Sequence, residues 1–145
     1  MFGPMSRTPA IVLALSVLAV GCAPPAGPEE GTGGDPETLS RTAFTGRIEN
    51  FFEYEPLIAG QPSPFLIHLT DLSDGSPVSQ AEVDLSVRPP GGEAEVASTR
   101  ALVGRVTGIY VAELIVPESG TYDIRFRVRA GDIDEVMLLS GFEVR

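Results

Sequence analysis

Two clusters of charged side chains in the C-terminal half have the residue types that binding chemistry requires. They are the arginines Arg125, Arg127 and Arg129, and the acids Asp132, Asp134 and Glu135. The arginines alternate with apolar residues, which predicts that they share one face of a strand and could receive an anionic ligand or a partner. The acids lie in a polar stretch that predicts a hairpin loop, where carboxylate oxygens could serve a hard cation such as calcium.

Both clusters also have a simpler interpretation. Arginines on a strand pair with acids on the neighbouring strand, and an immunoglobulin-like strand order would place Glu82 and Asp84 beside the arginines. Acids at hairpin tips also protect a sheet against aggregation. We therefore expect cross-strand ion pairs and solvated loop acids, with a ligand or divalent-cation site as the alternative.

No set of residues in the sequence suits catalysis. The chain has one cysteine, Cys22, and one histidine, His68, so neither Ser/His nor Cys/His catalysis has its parts. A soft metal would find only His68 and Met137 after the cysteine. His68 could act with Asp71 or Asp74, but its place opposite the apolar face of its strand predicts a surface histidine. We predict a protein that is not an enzyme and has neither a metal nor a cofactor.

The first 22 residues have the organisation of a secretion signal that ends at a cysteine. Arg7 precedes an 11-residue apolar run, Ala10–Val20, which is shorter than the roughly 20 residues of a transmembrane helix. The stretch Leu18–Cys22 resembles the lipobox of bacterial lipoproteins, in which the cysteine is acylated and becomes the first residue. The resemblance implies a signal peptide over residues 1–21 and a covalent lipid on Cys22. An ordinary secretion signal with an incidental cysteine is the alternative.

The lipid would make the protein an exported, membrane-anchored lipoprotein that faces the periplasm. Ala23 stands where an aspartate would resemble an inner-membrane retention signal, which favours the outer membrane over the inner. The formal net charge is −10, with 20 acids, and such a surface repels phosphate backbones and anionic lipid head groups. We therefore expect no nucleic-acid partner, and membrane contact through the lipid alone.

The rest of the chain divides into a linker and one β domain. Residues 22–41 are rich in proline, glycine and acids and poor in apolar residues, which predicts a flexible linker. Residues 42–145 alternate apolar and polar residues, most regularly over residues 81–88. They predict an antiparallel immunoglobulin-like β-sandwich of about seven strands, with a small barrel as the alternative. The segment from Ser119 to Tyr122 indicates a tyrosine corner, which favours the sandwich.

Several stretches of the domain resemble known envelope proteins. Glu49–Gln61, Phe65–Leu72 and Pro77–Val78 resemble the N-terminal domain of HlyD-type periplasmic adaptor subunits of efflux pumps, often of the heavy-metal class. Gly108–Tyr110 and Pro117–Tyr122 resemble YtkA/FixH-like extracytoplasmic domains. The lipoyl, hairpin and barrel portions of a complete adaptor have no counterpart in the sequence, so we expect a stand-alone domain.

The resemblance implies a non-enzymatic interaction module in the cell envelope, accessory to an efflux or metal-homeostasis system. Its expected partner is an envelope protein such as an efflux component. The alternative is a carrier domain that binds a ligand or a divalent cation.

Overall fold

The computed structural model describes residues 37–145, which form an antiparallel all-β domain. Its strands are β1 (Leu39–Phe44), β2 (Ile48–Tyr54), β3 (Pro62–Asp71), β4 (Glu82–Arg88), β5 (Ala97–Val103), β6 (Ile109–Ile115), β7 (Gly120–Ala130) and β8 (Ile133–Val144). Among these residues, no helix has the length and apolar character needed to span a bilayer. The predicted signal peptide, Cys22 and linker residues 22–36 lie outside the described residues.

The strands form one continuous sheet in the order β1-β2-β3-β6-β5-β4-β7-β8. The sheet folds over a single core, and β5 joins its two halves by pairing with both β4 and β6. The end strands approach each other at Arg41, whose guanidinium donates to the carbonyl oxygens of Ser140, at 2.7 Å, and Gly141, at 2.8 Å. The sheet is therefore nearly closed.

The core consists of the inward-facing residues of every second position, as the alternating pattern predicted. Its largest fully buried side chains are aromatic: Phe52, Phe65, Tyr110, Phe126 and Phe142. Phe52 lies at the centre, with its ring 4.7 Å from that of Phe126. These rings supply the large apolar volume of a chain that has no tryptophan.

The structure confirms the antiparallel all-β class and adds one strand to the predicted seven. The additional strand, β1, begins at Leu39, inside the range predicted to be linker. Its half-buried and exposed residues alternate, but the residue types hide the alternation, because Arg41 is on the half-buried face and Phe44 on the exposed one. The strand forms because all six of its residues pair with β2 in a hairpin, whose turn is residues 45–47.

The predicted tyrosine corner is confirmed. The Tyr122 hydroxyl donates to the carbonyl oxygen of Glu118 at 3.1 Å and so holds the turn that enters β7. The corner fixes where β7 begins, and with it the positions of the three arginines that follow.

Candidate binding site on the outer face of β4, β5 and β7

Rows of polar side chains cross the outer face of β5, β4 and β7. They align because residues that face each other in an antiparallel sheet point to the same side. In the order β5, β4, β7, two rows are complete and a third begins on β4: Ser98–Ser86–Arg125, Arg100–Asp84–Arg127 and Glu82–Arg129.

Two acids of β4 pair with arginines on both neighbouring strands. Arg129 Nη2 lies 3.0 Å from Glu82 Oε1 and 3.0 Å from Asp84 Oδ2. On the other side, the guanidinium of Arg100 lies 2.5 Å from Glu82 and 2.7 Å from Asp84. The hydrogen bond to Asp84 raises the pKa of Arg100 above its ordinary value. The cross-strand pairing expected for the arginine row is thus confirmed at Arg129.

Arg127 pairs instead with Asp134, near the start of β8. Its Nε and Nη2 donate to the two carboxylate oxygens of Asp134 at 3.1 and 3.0 Å, the bidentate geometry in which a guanidinium fits a carboxylate. This hydrogen bonding holds the pKa of Asp134 below its usual range. Arg125 faces Leu138 on β8 and has no ion pair within residues 37–145. Of the three arginines in the predicted row, it is the one whose guanidinium is not engaged by a carboxylate of the described residues.

A cavity of about 500 Å³ lies over the Ser98–Ser86–Arg125 row. Ser86 is only 9% exposed, yet its hydroxyl has no hydrogen-bond partner in the described part of the chain, and the same holds for the Ser98 hydroxyl. The sequence prediction missed both serines. Each sits at a polar position of its strand, but only the strand register brings them beside Arg125.

The predicted acidic cluster separates in the structure. Asp132 pairs with Arg47 at 3.1 Å, while Asp134 pairs with Arg127 on the outer face. Glu135 makes no ion pair with any residue the structure describes, and no three His, Cys, Asp or Glu side chains between residues 37 and 145 are placed to share a metal ion. The three acids therefore do not form one site.

Arg47 also binds Asp71, an interaction that the sequence prediction missed. Its Nη2 lies 3.1 Å from Asp71 Oδ2, so the guanidinium joins the β1–β2 turn, the end of β3 and the β7–β8 turn. Asp71 also accepts the Ser73 hydroxyl and amide. The hydrogen bonds from Arg47 are the main cause, and those from Ser73 the second, that the pKa of the Asp71 carboxyl lies far below its usual range.

We expect acid to weaken this connection. A carboxyl whose pKa is lower in the folded than in the unfolded state stabilises the fold above its unfolded pKa, 3.8, and loses that contribution as the pH falls toward the folded value. Between about pH 5 and about pH 2.5, the melting temperature of the wild-type protein should fall more steeply than that of Asp71→Asn. Thermal unfolding followed by circular dichroism measures both slopes, and equal slopes would contradict the prediction.

His68 lies on the outer face, as predicted. Its ring centroid is 5.4 Å from that of Phe51, and its Nε2 is 3.9 Å from a Glu53 oxygen. Asp71 is bound to Arg47, and Asp74 accepts the backbone N–H of Ser76. Neither acid is therefore paired with His68.

A second surface feature is apolar and lies on the outer face of β3, β6 and β5. Leu66 faces Val111, and Val111 faces Leu102, so the three side chains form a continuous line that we term the outer apolar row. They are 37%, 45% and 74% exposed. Open grooves of about 390 and 400 Å³ flank Val111 on its two sides. The alternating pattern predicted only that these positions face outward.

Comparison with known proteins leaves the family open. The chain matches no protein-family model, and a search of curated proteins finds no match to it. The likeness to HlyD-type adaptors and to YtkA/FixH-like domains stays a prediction from the residues quoted above.

Proposed function

We propose that this protein is a lipid-anchored, non-enzymatic interaction module of the cell envelope whose folded domain binds another envelope protein. The outer apolar row carries the proposal. The solvated face of an antiparallel sheet is normally polar, and single exposed apolar residues are common. A contiguous apolar line across three strands is different, because exposed apolar patches mark interaction sites.

The charges around the outer apolar row indicate the chemistry of the partner. One flanking groove is lined by Glu53 and Glu55, and the other by Glu113 and Arg100. Arg100 is already paired with Glu82 and Asp84, so the acids dominate this rim. We infer a partner surface with an apolar centre and a basic rim, since complementary charges favour encounter and fix register.

The setting of this interaction follows from the N-terminal residues. The lipobox-like stretch Leu18–Cys22 supports acylation of Cys22, export and a membrane anchor facing the periplasm, with the outer membrane favoured by Ala23. The adaptor-like stretches support a role accessory to an efflux or metal-homeostasis system, with an efflux component as the partner.

We also propose that the domain is an immunoglobulin-like sandwich. In the constant-type immunoglobulin order, strands A-B-E-D form one sheet and C-F-G the other. The runs β2-β3-β6-β5 and β4-β7-β8 correspond to these two sheets, with β1 as an added edge strand. The tyrosine corner at Tyr122, at the entry to the penultimate strand, supports the same assignment.

Affinity capture tests the interaction. The full-length protein is crosslinked in its native membranes, solubilised in detergent and captured as wild type, as Leu102→Glu and as Leu138→Glu. Leu138 is the matched control, because it is an exposed strand leucine outside the outer apolar row and the charge change is the same. We expect wild type and Leu138→Glu to capture the same envelope protein. Leu102→Glu should capture at least about tenfold less of it, because a central interface contact is removed. No envelope protein above background, or equal recovery with both variants, would refute the proposal.

A further inference from the structure

We propose that the cavity on the outer face of β4, β5 and β7 binds a polar anion, whose carboxylate or phosphate oxygens are held by Arg125 and the hydroxyls of Ser86 and Ser98. The cavity adjoins one groove of the outer apolar row, with which it shares Thr99 and Arg100, but the inference does not depend on the proposed function.

The first support is the convergence of unpartnered donors. Ser98, Ser86 and Arg125 stand in register on three adjacent strands, which lie about 4.8 Å apart. A guanidinium presents a planar fork of N–H donors that matches the oxygens of a carboxylate or phosphate, and a hydroxyl adds one more. None of the three side chains has a hydrogen bond or ion pair to any other residue between 37 and 145. Although the residue Ser86 is only 9% exposed, its hydroxyl oxygen still reaches solvent, so it is free to bond a ligand in the cavity.

The second support is the charge around the cavity. Arg100 and Arg127 line it together with Arg125, and the acids that line it are Asp84 and Glu95. Asp84 and Arg100 are paired with each other, and Arg127 is paired with Asp134. Among the residues described, the charged lining groups without an ion pair are therefore Arg125 and Glu95. Arg125 is therefore the lining guanidinium whose charge and donors remain for a ligand oxygen.

The third support is the size of the cavity. A volume of about 500 Å³ falls within the roughly 300–1,000 Å³ of small-molecule sites. One inorganic phosphate would fill only a small part of it. The lining of serine, threonine, arginine and acidic side chains suits a polar molecule, so we infer an organic anion whose charged group sits on Arg125.

Titration of the full-length protein in a non-ionic detergent tests the site. The probes are inorganic phosphate and succinate, and the readout is the set of backbone amide NMR shifts around Ser86, Ser98 and Arg125. Three proteins are compared: wild type, Arg125→Gln and the matched control Arg105→Gln, which removes an exposed arginine outside the cavity. Because Arg125 makes no ion pair among the described residues, its replacement should leave the melting temperature unchanged, so lost binding is not lost folding.

We expect saturable shifts with at least one probe, and affinity at least about tenfold weaker in Arg125→Gln than in wild type and Arg105→Gln. Binding of phosphate alone identifies a phosphoryl ligand, binding of succinate alone identifies a carboxylate, and binding of both identifies an anion site of broader tolerance. Each of these results supports the site. Shifts that do not saturate with either probe, or equal weakening in the two variants, would overturn it.

Discussion

Replacing Tyr110 with phenylalanine is expected to lower the free energy of unfolding by about 2–4 kcal/mol. The Tyr110 hydroxyl donates to the carbonyl oxygen of Val78 at 2.6 Å and accepts the backbone N–H of Ala81 at 2.8 Å. The side chain is fully buried. Phenylalanine keeps the ring but leaves two buried backbone groups without partners, and each such group costs about 1–3 kcal/mol.

The large effect follows from the position of these bonds. Val78 and Ala81 lie in the connection that carries the chain from β3 to β4, on the other half of the sheet. Gly108 lies so close to this connection that a Cβ there would stand 2.5 Å from the Cβ of Pro77. The close approach brings β6 against the connection, and the Tyr110 hydroxyl then makes hydrogen bonds to the backbone of the connection at Val78 and Ala81. Tyr110 therefore helps to fix β4, which carries Ser86 and the paired acids.

Tyr122→Phe is the matched control for this prediction. The same atom is removed, but the Tyr122 hydroxyl makes one bond, of 3.1 Å, at a partly buried site. We expect Tyr122→Phe to cost about 0.5–1.5 kcal/mol. Chemical denaturation followed by far-ultraviolet circular dichroism gives both values. If Tyr110→Phe lowers the free energy of unfolding no more than Tyr122→Phe does, the two hydrogen bonds of Tyr110 do not hold the connection.

The strands that the sequence predicted best are those whose two faces differ most. In β4, Val83, Leu85 and Val87 are buried, while the residues between them are polar, so a period of two is visible without any partner strand. β1 lacks this contrast, and its pairing with β2 decides its structure. Local pattern is thus sufficient where the residue types follow the burial, as in β4, and insufficient in β1, where they do not.

The candidate site was predictable as a set of residues but not as an arrangement. The alternation placed the three arginines on one face, and pairing of β7 with β4 was expected. Which acid each arginine selects depends on register and on distant loops: Asp132 binds Arg47, 85 positions away. Arg125 differs from its neighbours because Leu138 and Ser86, rather than acids, face it on the two adjacent strands.

Asn50 is a core position that the alternation of apolar and polar residues does not explain. It faces inward on β2 between Ile48 and Phe52, and it is fully buried. Neither polar atom of its side chain has a partner within the described part of the chain. Nothing in that part of the structure accounts for an amide there.

Replacing Cys22 with alanine is expected to remove all covalent lipid from the protein. Cys22 is the only cysteine in the chain, so no second thiol can accept an acyl group in its place. Each buried methylene of an acyl chain contributes about 0.8 kcal/mol to membrane binding, and stable anchoring takes two signals, such as dual acylation. Since the chain has no second cysteine, the loss of covalent lipid should be complete.

Growth of the expressing cells with an alkyne fatty acid, followed by dye coupling and gel electrophoresis, measures the lipid directly. We expect label on the wild-type protein and on the control Ala23→Ser, which changes the neighbouring residue and leaves the thiol, and none on Cys22→Ala. The mass of the labelled protein should also lack residues 1–21, since the acylated cysteine becomes the first residue. Label that persists in Cys22→Ala would exclude Cys22 as the acylated residue, and a wild-type protein that never takes up label would exclude the lipid anchor. Both outcomes leave the outer apolar row and the Arg125 cavity to their own tests.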